Sequence, residues 1–269
     1  MRHLMKTNFH THTTWCDGSD DTETVILSAI ARGFAALGFS SHSSYPDDSA
    51  CTVPAVKLAS YFADVRALAV KHSAHINVLC GVEADYIPGS TDPDRSRYAA
   101  FRPDYIIGSV HYVIAPDGGR VPVDHSPPLL MNGIAAHFGG DAEAYVRAYF
   151  AQEREMVARF DFDIVGHPDL VRKFNAKHPY FDESAVWYRN ELALTARAIA
   201  DSGKIVEVNT GAISRGWLDD AYPSAPFRDI LRADGVRFIL SSDSHAADTI
   251  DCAFDRFGTA ETYVQSPRP

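Results

Sequence analysis

The sequence predicts an α/β fold built as a β/α barrel, in which parallel strands alternate with helices. Three observations carry this. Short apolar runs alternate with helical patterns along the chain. The strand-like runs are mostly continuous in their apolar character, as expected when helices cover them. Six of the seven runs end, on their C-terminal side, at a histidine or an acidic residue. A doubly wound open sheet shares the first two features. The third favours a barrel, where strand ends converge on one mouth.

Thr7 to His10 is a short strand, followed by a helix from Thr22 to Arg32 with acidic residues at its start and Gly33 as its stop. Leu37 to Ser41 is the second strand, and Val53 to Lys71 has apolar residues at helical spacing. Ile76 to Ala84 and Tyr105 to Val110 are the third and fourth strands. Residues 113–140 carry PDGG, SPPLL and FGGD, which read as turns and loop. A helix from Ala142 to Arg159 precedes the fifth strand, Asp163 to Gly166. Glu183 to Ser202 is a helix ended by Gly203, and Lys204 to Asn209 is the sixth strand. Pro226 to Ala233 is helical, Val236 to Ser241 is the seventh strand, and Ala253 to Val264 is ambiguous. With no internal repeat or linker, residues 1–269 are expected to form a single domain.

An apolar fraction of 46% supports a sizeable core, and a net charge of −10 argues against a generic grip on nucleic acid. Cys16, Cys51, Cys80 and Cys252 form no C-x-x-C pair, which suits free thiols in a reducing cytosol. Cys16 is read as a bystander thiol beside Asp17. No apolar run reaches membrane-spanning length and the N-terminus has no leader-like apolar region, so a cytoplasmic protein without a membrane partner is expected.

The first strand runs into His10 and His12, the second into His42, the third into Glu83 and the fourth into His111. The fifth ends at His167 and the seventh at Asp243 and His245, while Asp17 follows the first strand closely enough to fold back. The two-residue spacings put His10 with His12, and Asp243 with His245, on common faces. A lone strand-end histidine is usually a hydrogen-bonded structural residue. Recurrence at equivalent positions is what implies a metal centre. Imidazoles and carboxylates without thiolates suit Zn²⁺, Fe²⁺ or Mn²⁺. Nine donors are too many for one ion, so two or three divalent ions are expected. His3, His72, His75, His125, His137 and His178 read as solvated or locally bonded, with His125 and His137 near enough to visit the site.

The motifs FHTHTTWCDG, SSH, GVEADY, GSVHY, GHPD and SSDSH together resemble the PHP (polymerase and histidinol phosphatase) superfamily over nearly the whole chain. The resemblance implies a distorted seven-stranded β/α barrel, TIM-like in kind, with a trinuclear centre. His10, His12, Glu83 and Asp243 would hold one ion, Glu83 would bridge to a second at His111 and His167, and Asp17, His42 and His245 would hold the third. FDFDIVGHPDLVRKFN, EVNTGAISRG and AYPS are similar to histidinol-phosphate phosphatases. That likeness implies a small phosphate monoester as substrate, L-histidinol phosphate first, with Arg172 and Arg215 on the phosphate. Three divalent ions against the carboxylates Asp17, Glu83 and Asp243 leave a centre of about +3, enough to draw a dianion to an acidic protein. Other readings remain: a nucleotide or phosphotyrosine phosphoesterase, an amidohydrolase, or a non-catalytic metal-binding protein. The amidohydrolase usually relies on a bridging lysine or a lone final aspartate, and no strand-end lysine is present; Lys204 opens its strand.

Overall fold

The strands carry few polar inward residues below the mouth, so they fold as a closed set around an apolar interior. The computed structural model describes residues 6–45, 50–258 and 263–268; His3, and residues 259–262 of the ambiguous last segment, lie outside them. The order is β1 (Thr7–Asn8), α1 (Thr22–Ala31), β2 (Ala36–Phe39), α2 (Leu58–His72), β3 (Asn77–Cys80), β4 (Val82–Asp85) and β5 (Ile106–Ser109). There follow β6 (Tyr112–Ile114), β7 (Arg120–Pro122), α3 (Pro127–Phe138), α4 (Ala142–Arg159) and β8 (Ile164–Val165). The chain continues with α5 (Val186–Ser202), β9 (Ile205–Asn209), α6 (Gly211–Ser214), α7 (Ala225–Ala233), β10 (Phe238–Ser241) and α8 (Phe254–Phe257).

Two parallel sheets, β1-β2-β3 and β10-β9-β8-β5-β4, make up the barrel wall. They are joined on both sides. β3 runs into β4 through Gly81, whose N–H donates to Phe39 O at 2.7 Å. On the far side Thr11 bridges Ser244, the His12 N–H donates to Ser244 O at 2.8 Å, and the Asn8 amide donates to Ser242 Oγ at 2.6 Å. Counting β3 and β4 as one bent strand, the ring has the seven parallel segments expected. The expected single strand from Ile76 to Ala84 changes partner at Gly81: its first half pairs with β2, its second with β5. Glycine is required at the bend, because a Cβ at Gly81 would lie 2.7 Å from a Tyr105 ring carbon.

Phe9, Ala36, Tyr105, Ile107, Ile164, Ile205 and Ile239 pack together inside the ring, separate from the larger core under the helices. Water is excluded from this plug, so the inward polar residues one or two positions further along each strand can meet only at the mouth. The helices cover the outside in amphipathic fashion. α4 buries Tyr145, Val146, Tyr149, Phe150, Gln152, Glu153, Met156 and Val157, which fall on one face at three- and four-residue spacing. Asp141 caps it by accepting from Ala144 N at 2.9 Å, and Gly203 ends α5 at φ 70°.

The expectation of a loop over residues 113–140 is corrected. The segment holds the antiparallel hairpin β6-β7 and the helix α3. SPPLL is a helix start: Ser126 is the N-cap, and the two prolines take the first positions, where a missing N–H costs nothing. Among the described residues no helix is long and apolar enough to cross a membrane.

Candidate metal centre

The nine predicted donors come together at the C-terminal ends of the strands. Glu83, buried on β4, lies at the middle. Its Oε2 is 3.1 Å from His10 Nε2, 3.5 Å from His12 Nε2 and 3.0 Å from His42 Nδ1. Its Oε1 faces the other way, 2.9 Å from His167 Nε2 and 3.6 Å from His111 Nε2, and accepts from Ser109 Oγ at 2.7 Å. Asp243 Oδ1 lies 3.3 Å from His12 Nε2 and 3.7 Å from His10 Nε2. Asp17 Oδ2 is 3.3 Å from His245 Nε2 and 3.9 Å from His42 Nε2. The donors form several overlapping groups within reach of a cation, with Glu83 between His10, His12 and His42 on one side and His111 and His167 on the other.

The backbone is strained where two of these donors are presented. His167 has φ 23° and Asp243 φ 50°, both in the left-handed region. Such conformations cost about 1–3 kcal/mol each and cluster at functional sites. Gly211 allows another close approach: a Cβ there would sit 2.7 Å from Arg215 Nη1 and 2.9 Å from Asp243 Oδ2.

Electrostatics divide the imidazoles by protonation. Burial, reinforced by His245 and His42, pushes His12 down to about 3, so its ring is neutral. His12 Nε2 is buried without a hydrogen-bond partner although it points between Glu83 and Asp243, as a lone pair awaiting a cation would. Burial opposes a charge on His10, yet Glu207, Glu83 and Asp243 together raise it well above its usual range. Burial likewise opposes ionisation of Glu83, but His10, His42 and His111 hold it well below the usual carboxylate range. So much opposed charge in a dry site is what divalent ions would balance, and the donor set fits them.

Two carboxylates absent from the predicted set stand behind the ligands. Glu207 Oε2 is 2.9 Å from His10 Nδ1, and its Oε1 accepts from His167 N at 2.9 Å and Asn209 Nδ2 at 2.8 Å. Asp85 Oδ1 is 2.7 Å from His111 Nδ1. Each fixes the tautomer that leaves Nε2 facing the centre. Both were open to detection. Asp85 is two residues after Glu83, hence on the same strand face, and Glu207 lies inward on the one strand that seemed to contribute nothing.

The two arginines part company. Arg215 lines the mouth, donating from Nη2 to Asp243 O at 3.1 Å, with the same nitrogen 2.7 Å from His245 Nδ1. Arg172, expected on the phosphate, is not among the residues that line the cleft. Its Nε donates to Glu183 Oε2 at 2.6 Å and its Nη1 to Asp169 Oδ2 at 3.5 Å. The cation this segment supplies to the cleft is the next residue, Lys173. Of the two histidines expected as visitors, His125 lines the cleft, whereas His137 is bound to Asp117 at 3.0 Å. The cleft holds about 240 Å³.

Residues 8–211 match the PHP domain family. The chain belongs to the PHP family. Among its relatives is a Schizosaccharomyces pombe protein named "Probable histidinol-phosphatase", 29% identical over 236 residues that cover 83% of this chain and 74% of the relative. Two solved structures share the fold at 20% identity. A Listeria monocytogenes protein assigned as a histidinol phosphatase superposes with a TM-score of 0.82, covering 94% of this chain and 100% of its own. A histidinol phosphate phosphatase from Lactococcus lactis, solved with zinc, L-histidinol and phosphate, superposes at 0.61, covering 91% and 88%.

Proposed function

We propose that this PHP protein is a metal-dependent phosphoric monoester hydrolase that converts L-histidinol phosphate to L-histidinol and phosphate in histidine biosynthesis. The observation that carries the reading is the split orientation of Glu83, with one oxygen toward each of two histidine sets, beside the cations Arg215 and Lys173. The names of the relatives support the substrate. The whole described chain serves one domain, and four cysteines in no disulfide suit a reducing cytoplasm.

His10, His12, Glu83 and Asp243 would hold one ion, Glu83, His111 and His167 a second, and Asp17, His42 and His245 a third. Zinc, iron or manganese bound there would supply Lewis-acid charge and activate water at neutral pH. Glu207 and Asp85 keep His10 and His111 in the coordinating tautomer. Arg215 and Lys173 bear the phosphoryl oxygens through charge-assisted hydrogen bonds. Arg172 positions the turn that carries Lys173, through Asp169 and Glu183. The apolar plug below the mouth keeps bulk water from entering from beneath.

The test is inorganic phosphate release from histidinol phosphate, nucleoside monophosphates, phosphotyrosine and an aryl phosphate, after chelation and reloading with each metal. A preference of about 100-fold in kcat/KM for histidinol phosphate, about 2.7 kcal/mol, supports the reading. Equal low turnover of all four overturns it in favour of another phosphoester.

A further inference from the structure

The reading above leaves the organic end of the substrate without a partner. Next to the donor sets, the cleft holds a carboxylate that belongs to none of them. Asp124 follows β7, and the adjacent Val123 N–H donates to His111 O at 2.9 Å, which fixes this strand end over the second donor set. Lys173 Nζ donates to Asp124 Oδ2 at 2.9 Å and to Asp124 O at 3.0 Å. Both members of the pair line the cleft. Burial opposes the charge on Asp124, but Lys173 at 2.9 Å holds its carboxyl below the usual range, so it is ionised in the cleft. Tyr112, with Tyr45 edge-on at 6.0 Å and its hydroxyl 2.9 Å from His125 Nε2, forms the wall beside it.

A cation paired with a carboxylate at the point where an anion is to dock looks wasteful. It makes sense if the ligand carries both charges. We propose that the Asp124–Lys173 pair recognises a phosphate ester with an ammonium group on the neighbouring carbon, Asp124 accepting from the ammonium while Lys173 turns to the phosphate. One ion pair opens and two form, so no buried charge is left unpaired. An ester without the ammonium has two poorer options. It forgoes Lys173, or it takes Lys173 and leaves Asp124 unpaired in the cleft. The pair thereby selects amino-alcohol phosphates against plain alkyl or aryl phosphates, by penalising the latter. This rests on the proposed histidinol-phosphate reading and extends it to the residues that set specificity.

The experiment compares histidinol phosphate with 3-(imidazol-4-yl)propyl phosphate, which lacks only the amino group, in the wild-type protein, Asp124→Asn and Asp124→Glu. The wild type is expected to prefer histidinol phosphate by about 30-fold in kcat/KM, the size of one hydrogen bond between charged partners. Asp124→Asn is expected to lose most of that preference, through a higher KM for histidinol phosphate and, as Lys173 is released from its pair, a lower KM for the deamino ester, and Asp124→Glu to restore part of it. Asp124→Ser takes the place of Asp124→Asn if the amide variant does not fold. Absence of a preference in the wild type overturns the subsite. So does an equal loss on both esters in the variant, while the phosphatase reading stands. No phosphate release from either ester by the wild type overturns the proposed function itself, and the subsite with it.

Discussion

Replacing Glu207 by glutamine changes one charge and almost no volume, yet it reaches the centre through His10. In the wild type the carboxylate accepts from His10 Nδ1 at 2.9 Å, so the proton sits on Nδ1 and Nε2 is free to coordinate. In Glu207→Gln the amide oxygen has claims from His167 N and Asn209 Nδ2, which now approach Oε1 at 2.9 and 2.8 Å. The amide nitrogen then takes the position 2.9 Å from His10 Nδ1 and can only donate, which leaves the oxygen, 3.1 Å away and already shared by two donors, as the one acceptor for the Nδ1 proton. His10 is driven toward the tautomer with its proton on Nε2, the atom 3.1 Å from Glu83 and meant for the ion. A charge-assisted hydrogen bond is worth about 1.5–3 kcal/mol, and loss of such a partner behind a ligand typically costs about 10–100-fold in metal affinity or activity. We expect a loss in that range in both the affinity of the first ion, by competition with a chelating dye, and kcat/KM for histidinol phosphate. Glu207→Gln with wild-type values in both assays refutes the tautomer reasoning.

Arg215→Ala is expected to raise KM for a phosphate monoester by at least about tenfold, with metal content unchanged by elemental analysis. Loss of the metal instead would make Arg215 a support for Asp243 alone. Arg172→Ala should behave in the opposite way. It removes the cation between Asp169 and Glu183, leaving Asp169 the Ser224 N–H at 2.7 Å, so calorimetry should find a destabilisation of about 1–3 kcal/mol, while KM at a permissive temperature moves by less than about threefold. A large KM effect without a stability change would return Arg172 to the phosphate. Metal uptake by the stripped protein should release protons. Burial opposes it, but the surrounding carboxylates raise His10 and His111 above 6.5, so both are protonated near neutrality without ions and must lose those protons to coordinate. Apparent metal affinity therefore rises with pH through the region above 6.5, whereas His12, at about 3, contributes no proton. Calorimetric titration in buffers of different ionisation enthalpy measures the release, and a value near zero contradicts the assignment of these rings as ligands.

The donors were legible because strand period and barrel geometry place them without reference to anything distant. His10 with His12, and Asp243 with His245, needed only the two-residue spacing and a strand end. The helices α4 and α5 were legible from amphipathic spacing and from Asp141 and Gly203 at their ends. What was missed depends on contacts between segments. Gly81 looks like one more small residue in an apolar run until Tyr105 is set against it. Ser126-Pro127-Pro128 carries the signature of a turn and of a helix start alike, and the packing of α3 on the hairpin decides between them. Arg172 and Lys173 are adjacent in sequence, and which of them faces the cleft depends on Glu183, brought over from the start of the next helical region. Asp124 has no motif at all; only Lys173, reaching across from residue 173, marks it.

The contact between Thr11 and Ser244 has a consequence for biosynthesis. A ribosome emits His10 and His12 early, but the aspartate that stands between their rings emerges more than two hundred residues later. Until the last barrel strand docks beside the first, the sets around His10 and around Asp17 each lack a donor, whereas Glu83, His111 and His167 are all made by residue 167. Full loading of the proposed centre would therefore wait on that closing contact.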